Sequence, residues 1–252
     1  MMFHEFLIWC SNKPGFWRLS KKFWGHSFFV PPRQLSIKRL GSFEKNFRKD
    51  RSIFMIAGLP KSGNVWLQSL LTHCLDDYGG TVTFTHHPLS RMHLDPLFNK
   101  DIIRGVYLMR DVRDIIVSLY SFMQTKHFLD SHGPHMVFDD IEDMYFEYYS
   151  NSPHWEMFRQ TNHVDGYIKF GWPLLKYEKL YDNPGAELKR LFRRWGISVS
   201  MDKIQAAVEK CSIENMRNNP QKFKFPKKIE PTHFVTGGYG KYKEALPGIV
   251  IQ

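Results

Sequence analysis

The stretch from Ile53 to Cys74 constrains the fold more than any other part of the chain. An apolar run, Ile53-Phe54-Met55-Ile56-Ala57, leads into Gly58-Leu59-Pro60-Lys61-Ser62-Gly63-Asn64-Val65-Trp66, and a helical pattern of Trp66, Leu67, Leu70, Leu71 and Cys74 follows. A strand, a glycine-bounded turn and a helix N-terminus are predicted in that order. Such a turn aims backbone N–H groups and the positive end of a helix dipole at one point, as a bound phosphate requires. The spacing departs from G-x-x-x-x-G-K-[ST], the loop that holds nucleoside triphosphates with Mg²⁺. Lys61 lies between the two glycines, and Asn64-Val65 stand in place of the lysine and the metal-binding hydroxyl. The anion cradle is kept and the metal ligand is lost. That combination points to a transfer reaction that needs no metal.

Strand and helix signals alternate along the rest of the chain. Thr81–Thr85 is β-branched and follows Gly79-Gly80, which are expected to close the first helix. Gly105–Met109 is apolar throughout, as a buried parallel strand is, and Pro173–Tyr177 is a fourth strand. Val112, Ile115, Ile116 and Leu119 mark a helix face, with Asp111 and Asp114 as its expected cap. Pro184 opens a helix that Gly196 stops, and Ser200 caps another. This alternation predicts an α/β domain with a parallel sheet, whose ligands collect beyond the carboxyl ends of the strands. Lys61, His86, Arg110 and Tyr177 all lie at such ends.

The length of 252 residues suits one domain spanning 1–252. The net charge of +10 favours a polyanionic ligand; nucleic-acid binding would rest on charge alone and is not expected. Cys10, Cys74 and Cys211 lie far apart, so neither a disulfide framework nor a zinc site is indicated, and a reducing cytoplasmic setting is expected. Residues 1–50 interleave aromatic and basic side chains (Phe16, Trp17, Arg18, Lys21, Phe23, Trp24) and are expected to pack on or cap the core. Contact of that segment with a membrane surface is the less favoured reading. Its apolar start is too short for a bilayer span and lacks the basic region of a signal peptide.

Five segments together resemble the cytosolic-type sulfotransferases, which use 3′-phosphoadenosine 5′-phosphosulfate (PAPS) and release adenosine 3′,5′-bisphosphate (PAP). Pro60-Lys61-Ser62-Gly63-Asn64-Val65-Trp66 is similar to that family's P-K-S-G-T-T-W loop in five of seven places. Arg110 followed by Ser118 matches its 3′-phosphate pair, and Thr85-His86-His87-Pro88 its T-H-x-P turn. Tyr177-Glu178 and Ser212-Ile213-Glu214-Asn215-Met216 resemble its two adenine-side segments. The likeness covers roughly residues 50–245. It departs at Val65, where the family has a threonine hydroxyl. It departs again at Phe234-Val235-Thr236-Gly237, where Val235-Thr236 replace a basic pair that clamps the 3′-phosphate. Lys241, Lys243 or Arg113 are the residues that would compensate. With the sequence ending soon after this segment, the chain is expected to stand nearer the short bacterial members.

The resemblance implies a P-loop-like three-layer sandwich, a central parallel sheet flanked by helices. It implies PAPS as donor and a small-molecule acceptor, with a hydroxyl favoured over an amine. Lys61 would stabilise the leaving phosphate and His86 would act as general base, with His87 as the alternative. The backbone N–H groups of Ser62, Gly63, Asn64 and Val65, with the Ser62 and Asn64 side chains, would hold the 5′-phosphate, and Arg110 and Ser118 the 3′-phosphate. Trp66, Tyr177, Ser212 and Gly237 would complete the nucleotide site. Oligomeric state and acceptor identity are not legible. A P-loop kinase and a nucleotide-binding protein without turnover are the competing readings. The histidines at 127, 132 and 135 have no metal-ligand spacing, and the acidic run from Asp139 to Glu147 reads as a solvated helix face.

Overall fold

Alternation along the first strand divides the core in two. In the computed structural model, which describes residues 52–86, 103–132, 137–150, 160–219, 223, 237–246 and 248, β1 (Ile53–Ala57) turns Phe54 and Ile56 to one face. Ile53 and Ala57 face the other way. β2 (Thr81–Thr85) and β3 (Ile103–Met109) pair with β1 on its two sides, and β4 (Leu174–Lys176) pairs with β3. The order is β2-β1-β3-β4 and every pairing is parallel.

Each face is covered by helices, giving three layers. On the Phe54 face lie α1 (Asn64–Cys74), α5 (Tyr177–Asp182), α6 (Pro184–Arg194), α7 (Met201–Lys210) and α8 (Ile213–Asn218). Leu67, Leu70, Leu71, Leu188 and Ile204 are buried there against Val106 and Leu108. Each such side chain contributes about 1.5–3 kcal/mol of hydrophobic transfer energy. On the opposite face, Tyr107 packs with Tyr167 and Trp172 around α4 (Gln160–Lys169). A third cluster joins α2 (Val112–Met123) to α3 (Lys126–His132), Leu59 and Leu246, the last just beyond α9 (Tyr242–Ala245).

β1 and β2 have the predicted bounds, while β3 starts two residues earlier than expected. β4 is shorter because Tyr177 already opens α5. Gly79-Gly80 do not close α1 directly. A 3₁₀ turn, Asp76–Tyr78, intervenes, and Gly79 with φ 61° ends that turn. Asp140 caps the acidic segment by accepting from the Glu142 and Asp143 N–H groups, and Met144 behind it is buried against α2. Among the described residues no helix is long and apolar enough to cross a membrane. The expectations for residues 1–50, His87, His135 and Val235-Thr236 lie outside the described residues.

With β2 and β3 on opposite sides of β1, the chain changes direction across the sheet at the carboxyl end of β1. In open α/β sheets that is where a crevice forms. The Lys61 turn follows β1 and Arg110 follows β3, so both reach this crevice.

Candidate active site

The turn after β1 is tied down from within. The Ser62 N–H donates to the Leu59 carbonyl at 3.1 Å, and the Asn64 Nδ2 donates to the same oxygen at 2.9 Å. Lys61 is held at φ 67° and Gly63, the N-cap of α1, at φ 98°. A left-handed non-glycine residue costs roughly 1–3 kcal/mol and persists only where its surroundings fix it. At Gly63 an added Cβ would lie 2.8 Å from the Tyr177 ring. Gly63→Ala is therefore expected to cost about 2 kcal/mol or more from strain and overlap together. A thermal melt should fall by roughly 4–10 °C, and an unchanged melt would contradict this account of the turn.

The first-turn N–H groups of α1, those of Asn64, Val65 and Trp66, have no carbonyl behind them in the helix and face the crevice end. The Asn64 side chain spends its donor inside the loop, so Asn64 reaches the crevice through its backbone. The Ser62 hydroxyl is buried, with no hydrogen-bond partner among the described residues, and its N–H is used by the turn.

A cavity of about 290 Å³ opens at this point. Every residue assigned to the site from sequence contributes to its lining except Ser62 and Ser212. Ser212 instead caps α8, accepting from the Asn215 N–H at 3.2 Å, and it is the next residue, Ile213, that reaches the cavity. Trp66 donates its indole N–H to the Cys211 carbonyl at 2.9 Å and meets Tyr177 edge to face. The Tyr177 ring lies beneath Arg110, whose guanidinium carbon is 4.4 Å from the ring centroid. Burial pushes the Tyr177 phenol above its ordinary range.

Arg110 joins three segments. Its Nη1 donates to the Lys61 carbonyl at 2.9 Å and its Nη2 to the Gly238 carbonyl at 3.0 Å. It thereby links the β1 turn and the end of β3 to the glycine turn that contains Gly237. Asp114 braces that same turn by accepting from the Gly240 N–H at 2.7 Å. This corrects the expected cap of α2. Asp111 alone caps it, accepting from the Arg113 N–H at 2.9 Å, because a buried Asp114 is needed by two backbone donors elsewhere. Arg113 is forked onto Asp111 and lies over the Tyr242 ring. Lys243 is exposed on α9, whereas Lys241 lines the cavity. Burial, and then Arg110, push the Lys241 ammonium below its usual value. Of the three basic residues considered as replacements for the pair missing at 235–236, Lys241 is the one brought to the site.

The Lys61 ammonium sits 4.0 Å from the centroid of Phe122 on α2. Burial, and then Arg110, lower its pKa to about 8. A cation weakened in this way gains from an arriving anion, which restores the charge that the apolar surroundings oppose.

His86 lies just past β2 and lines the same cavity. Its Nδ1 is 2.8 Å from the Gly58 carbonyl oxygen. A carbonyl only accepts, so Nδ1 carries the proton and Nε2 is the basic nitrogen. The 3.3 Å approach of Asn64 Nδ2 to the same Nδ1 is then a contact between two donors. Sequence reasoning missed Asp114 as a brace and Phe122 as the Lys61 contact. The signal was available, since Asp114, Ser118 and Phe122 recur every fourth residue along α2.

The sulfotransferase domain family model matches residues 80–247. The Lys61 turn lies before that stretch, and its place beside Arg110 comes from the structure. A flavonol sulfotransferase-like protein of Flaveria bidentis is 26% identical over 69% of this chain and 68% of its own length. Sulfotransferase 1A1 of Mus musculus is 27% identical over 54% of this chain, which is 45% of that protein. The structure of mouse sulfotransferase SULT7A1 complexed with PAP superposes with a TM-score of 0.64 at 15% identity, covering 86% of each chain. Retinol dehydratase, in complex with androsterone and PAP, gives a TM-score of 0.57 at 16% identity, over 79% of this chain and 77% of that one. At such identities the two structures establish the fold. The family match covers most of the described sheet and helices, and the chain belongs to the sulfotransferase domain family.

Proposed function

We propose that this chain transfers a sulfuryl group from PAPS to the hydroxyl of a small molecule. One observation carries the reading: a lysine, an arginine and the N-terminus of α1 converge on a cavity that is also lined by a histidine whose Nδ1 is bonded to the Gly58 carbonyl. Sulfuryl transfer, like phosphoryl transfer, is a loose in-line displacement dominated by positioning and charge stabilisation. The acceptor oxygen forms a bond to sulfur while the bond from sulfur to the bridging phosphate oxygen breaks. The acceptor proton passes to His86 Nε2, and the electron pair left on the phosphate oxygen is neutralised by Lys61. Arg110, Ser118 and Lys241 hold the 3′-phosphate, and the α1 N–H groups hold the 5′-phosphate. Phe84, 5.2 Å from the His86 ring, and Phe122 give the acceptor side apolar faces. That suits a hydroxyl carried on an aromatic or other apolar frame.

Two measurements test this. Transfer from PAPS to a phenol probe, p-nitrophenol, should persist in EDTA, since Val65 stands where the Mg²⁺-binding hydroxyl of a nucleoside-triphosphate loop would be; loss of activity with chelator would favour a kinase-like reaction. His86→Asn keeps a donor near the Nδ1 position for the Gly58 carbonyl but removes Nε2. It should lower kcat by roughly 10²–10⁴-fold and leave PAP affinity within about twofold of the original. Wild-type turnover in that variant would refute the base assignment. The second reading, a nucleotide-binding protein without turnover, is favoured by Val65, which lines the cavity where a hydroxyl would serve the phosphate. Tight PAP binding with no transfer to any acceptor would establish it.

A further inference from the structure

Two buried polar groups outside the cavity converge on the residue proposed as base. His163, on α4, is fully buried, and Tyr107, on β3, nearly so. His163 Nδ1 lies 2.9 Å from the Tyr107 hydroxyl, and its Nε2 lies 3.0 Å from the backbone carbonyl oxygen of His86. The direction of these bonds follows from the carbonyl, which only accepts. Nε2 of His163 therefore carries the proton, and Nδ1 accepts from Tyr107. Burial pushes the Tyr107 phenol upward, so it remains a donor. Tyr167 packs against both rings and restricts how the imidazole can turn.

Burying an imidazole and a phenol is costly unless both are satisfied, and an apolar pair would fill the same space without that demand. What this pair does that an apolar one would not is hold His86. His86 is one residue past the last ladder pair, Ala57↔Thr85, so the sheet no longer sets its backbone. It is gripped at two points: its carbonyl by His163, and its ring by the Gly58 carbonyl. A grip on the main chain and another on Nδ1 fix both side-chain torsions, and that leaves Nε2 toward the cavity.

We infer that His163, oriented by Tyr107, is a positioning residue that holds His86 with Nε2 directed at the acceptor. This rests on the reading of His86 as the base. Misplacement of a reacting group by about 1 Å can cost on the order of 10²-fold in rate. His163→Phe should accordingly lower kcat for PAPS and p-nitrophenol by roughly 10–100-fold while PAP affinity by calorimetry stays within about twofold. His163→Gln, whose amide can both donate and accept, should recover most of that loss. Tyr107→Phe removes only the hydroxyl, so it tests the same chain should His163→Phe fail to fold. The double variant should lose no more than His163→Phe alone.

Nitrogen NMR of labelled histidine, with the His86 signals assigned by their absence in His86→Asn, reads the geometry without turnover. His86 should be protonated on Nδ1 in the native chain and become a mixture of tautomers in His163→Phe. An unchanged His86 tautomer, or a loss of PAP affinity in step with kcat, would overturn the positioning role. If His86→Asn instead keeps full turnover while the tautomer still responds to His163→Phe, the base assignment fails and the grip on His86 stands.

Discussion

Lys61→Ala is expected to lower kcat by roughly 10²–10³-fold, the usual loss on removing one preorganised charge from a developing oxyanion. The geometry favours the upper part of that range. Lys61 is held in a left-handed conformation by a turn whose ends are pinned by the Leu59 carbonyl and by Arg110, so its ammonium costs little to orient. The same burial that makes it effective also makes it titratable near neutral pH. In the free protein its pKa is lowered to about 8 by burial and by Arg110. A bound phosphate favours the charged form and draws that value up again. Below about pH 8 the lysine is protonated in both states, and PAP affinity should be level with respect to this group. Above it, binding must recruit a proton, and affinity should fall toward tenfold per pH unit. Calorimetry with PAP across that range checks the sign. The slope should lessen in Lys61→Ala, leaving only what Lys241 contributes, and a native profile that stays flat or rises above pH 8 would contradict the assignment.

How far the site was legible in sequence depended on whether its residues act through chain neighbours or across the fold. Lys61, Gly63 and the α1 N–H groups belong to one continuous segment, and apolar run, glycine spacing and helix pattern announce them together. Arg110 and His86 were legible as polar residues just past predicted strands, because parallel topology brings such ends to one edge. The side-chain assignments within the turn are a different matter. Nothing in Asn64 or Ser62 as residue types says that the amide turns back to Leu59 or that the Ser62 N–H closes the turn. Those choices follow from local backbone geometry. Asp114 likewise fits a helix cap by position, and its brace to Gly240, far along the chain, has no local signature. Helix α4 went unread because its short segment, Gln160–Lys169, shows few apolar residues in sequence. It is fixed instead by long-range packing of Tyr167 on Tyr107 and Trp172, where tertiary contact overrides a weak local pattern.

Arg110→Lys should fail almost as badly as Arg110→Ala, which separates a fork from a point charge. The guanidinium donates at once to the Lys61 and Gly238 carbonyls while its carbon lies 4.4 Å from the Tyr177 ring centroid. A lysine ammonium can supply the charge but cannot reach two carbonyls in one plane or stack in the same way. Charged hydrogen bonds of this kind contribute about 1.5–3 kcal/mol each, so losing the bridge should weaken PAP binding by roughly 10²–10³-fold even before the direct contact with phosphate is counted. The alanine variant should lose the charge as well and bind still less. A thermal melt should fall in both variants, because two carbonyls are left without their donor and the glycine turn is then held to α2 mainly by Asp114. If Arg110→Lys binds PAP like the native chain, the guanidinium acts through charge alone, and its bridge between the two turns is incidental to the site. If instead the melt falls while affinity is kept, the bridge serves the fold, and the 3′-phosphate must be held by Lys241 and Ser118.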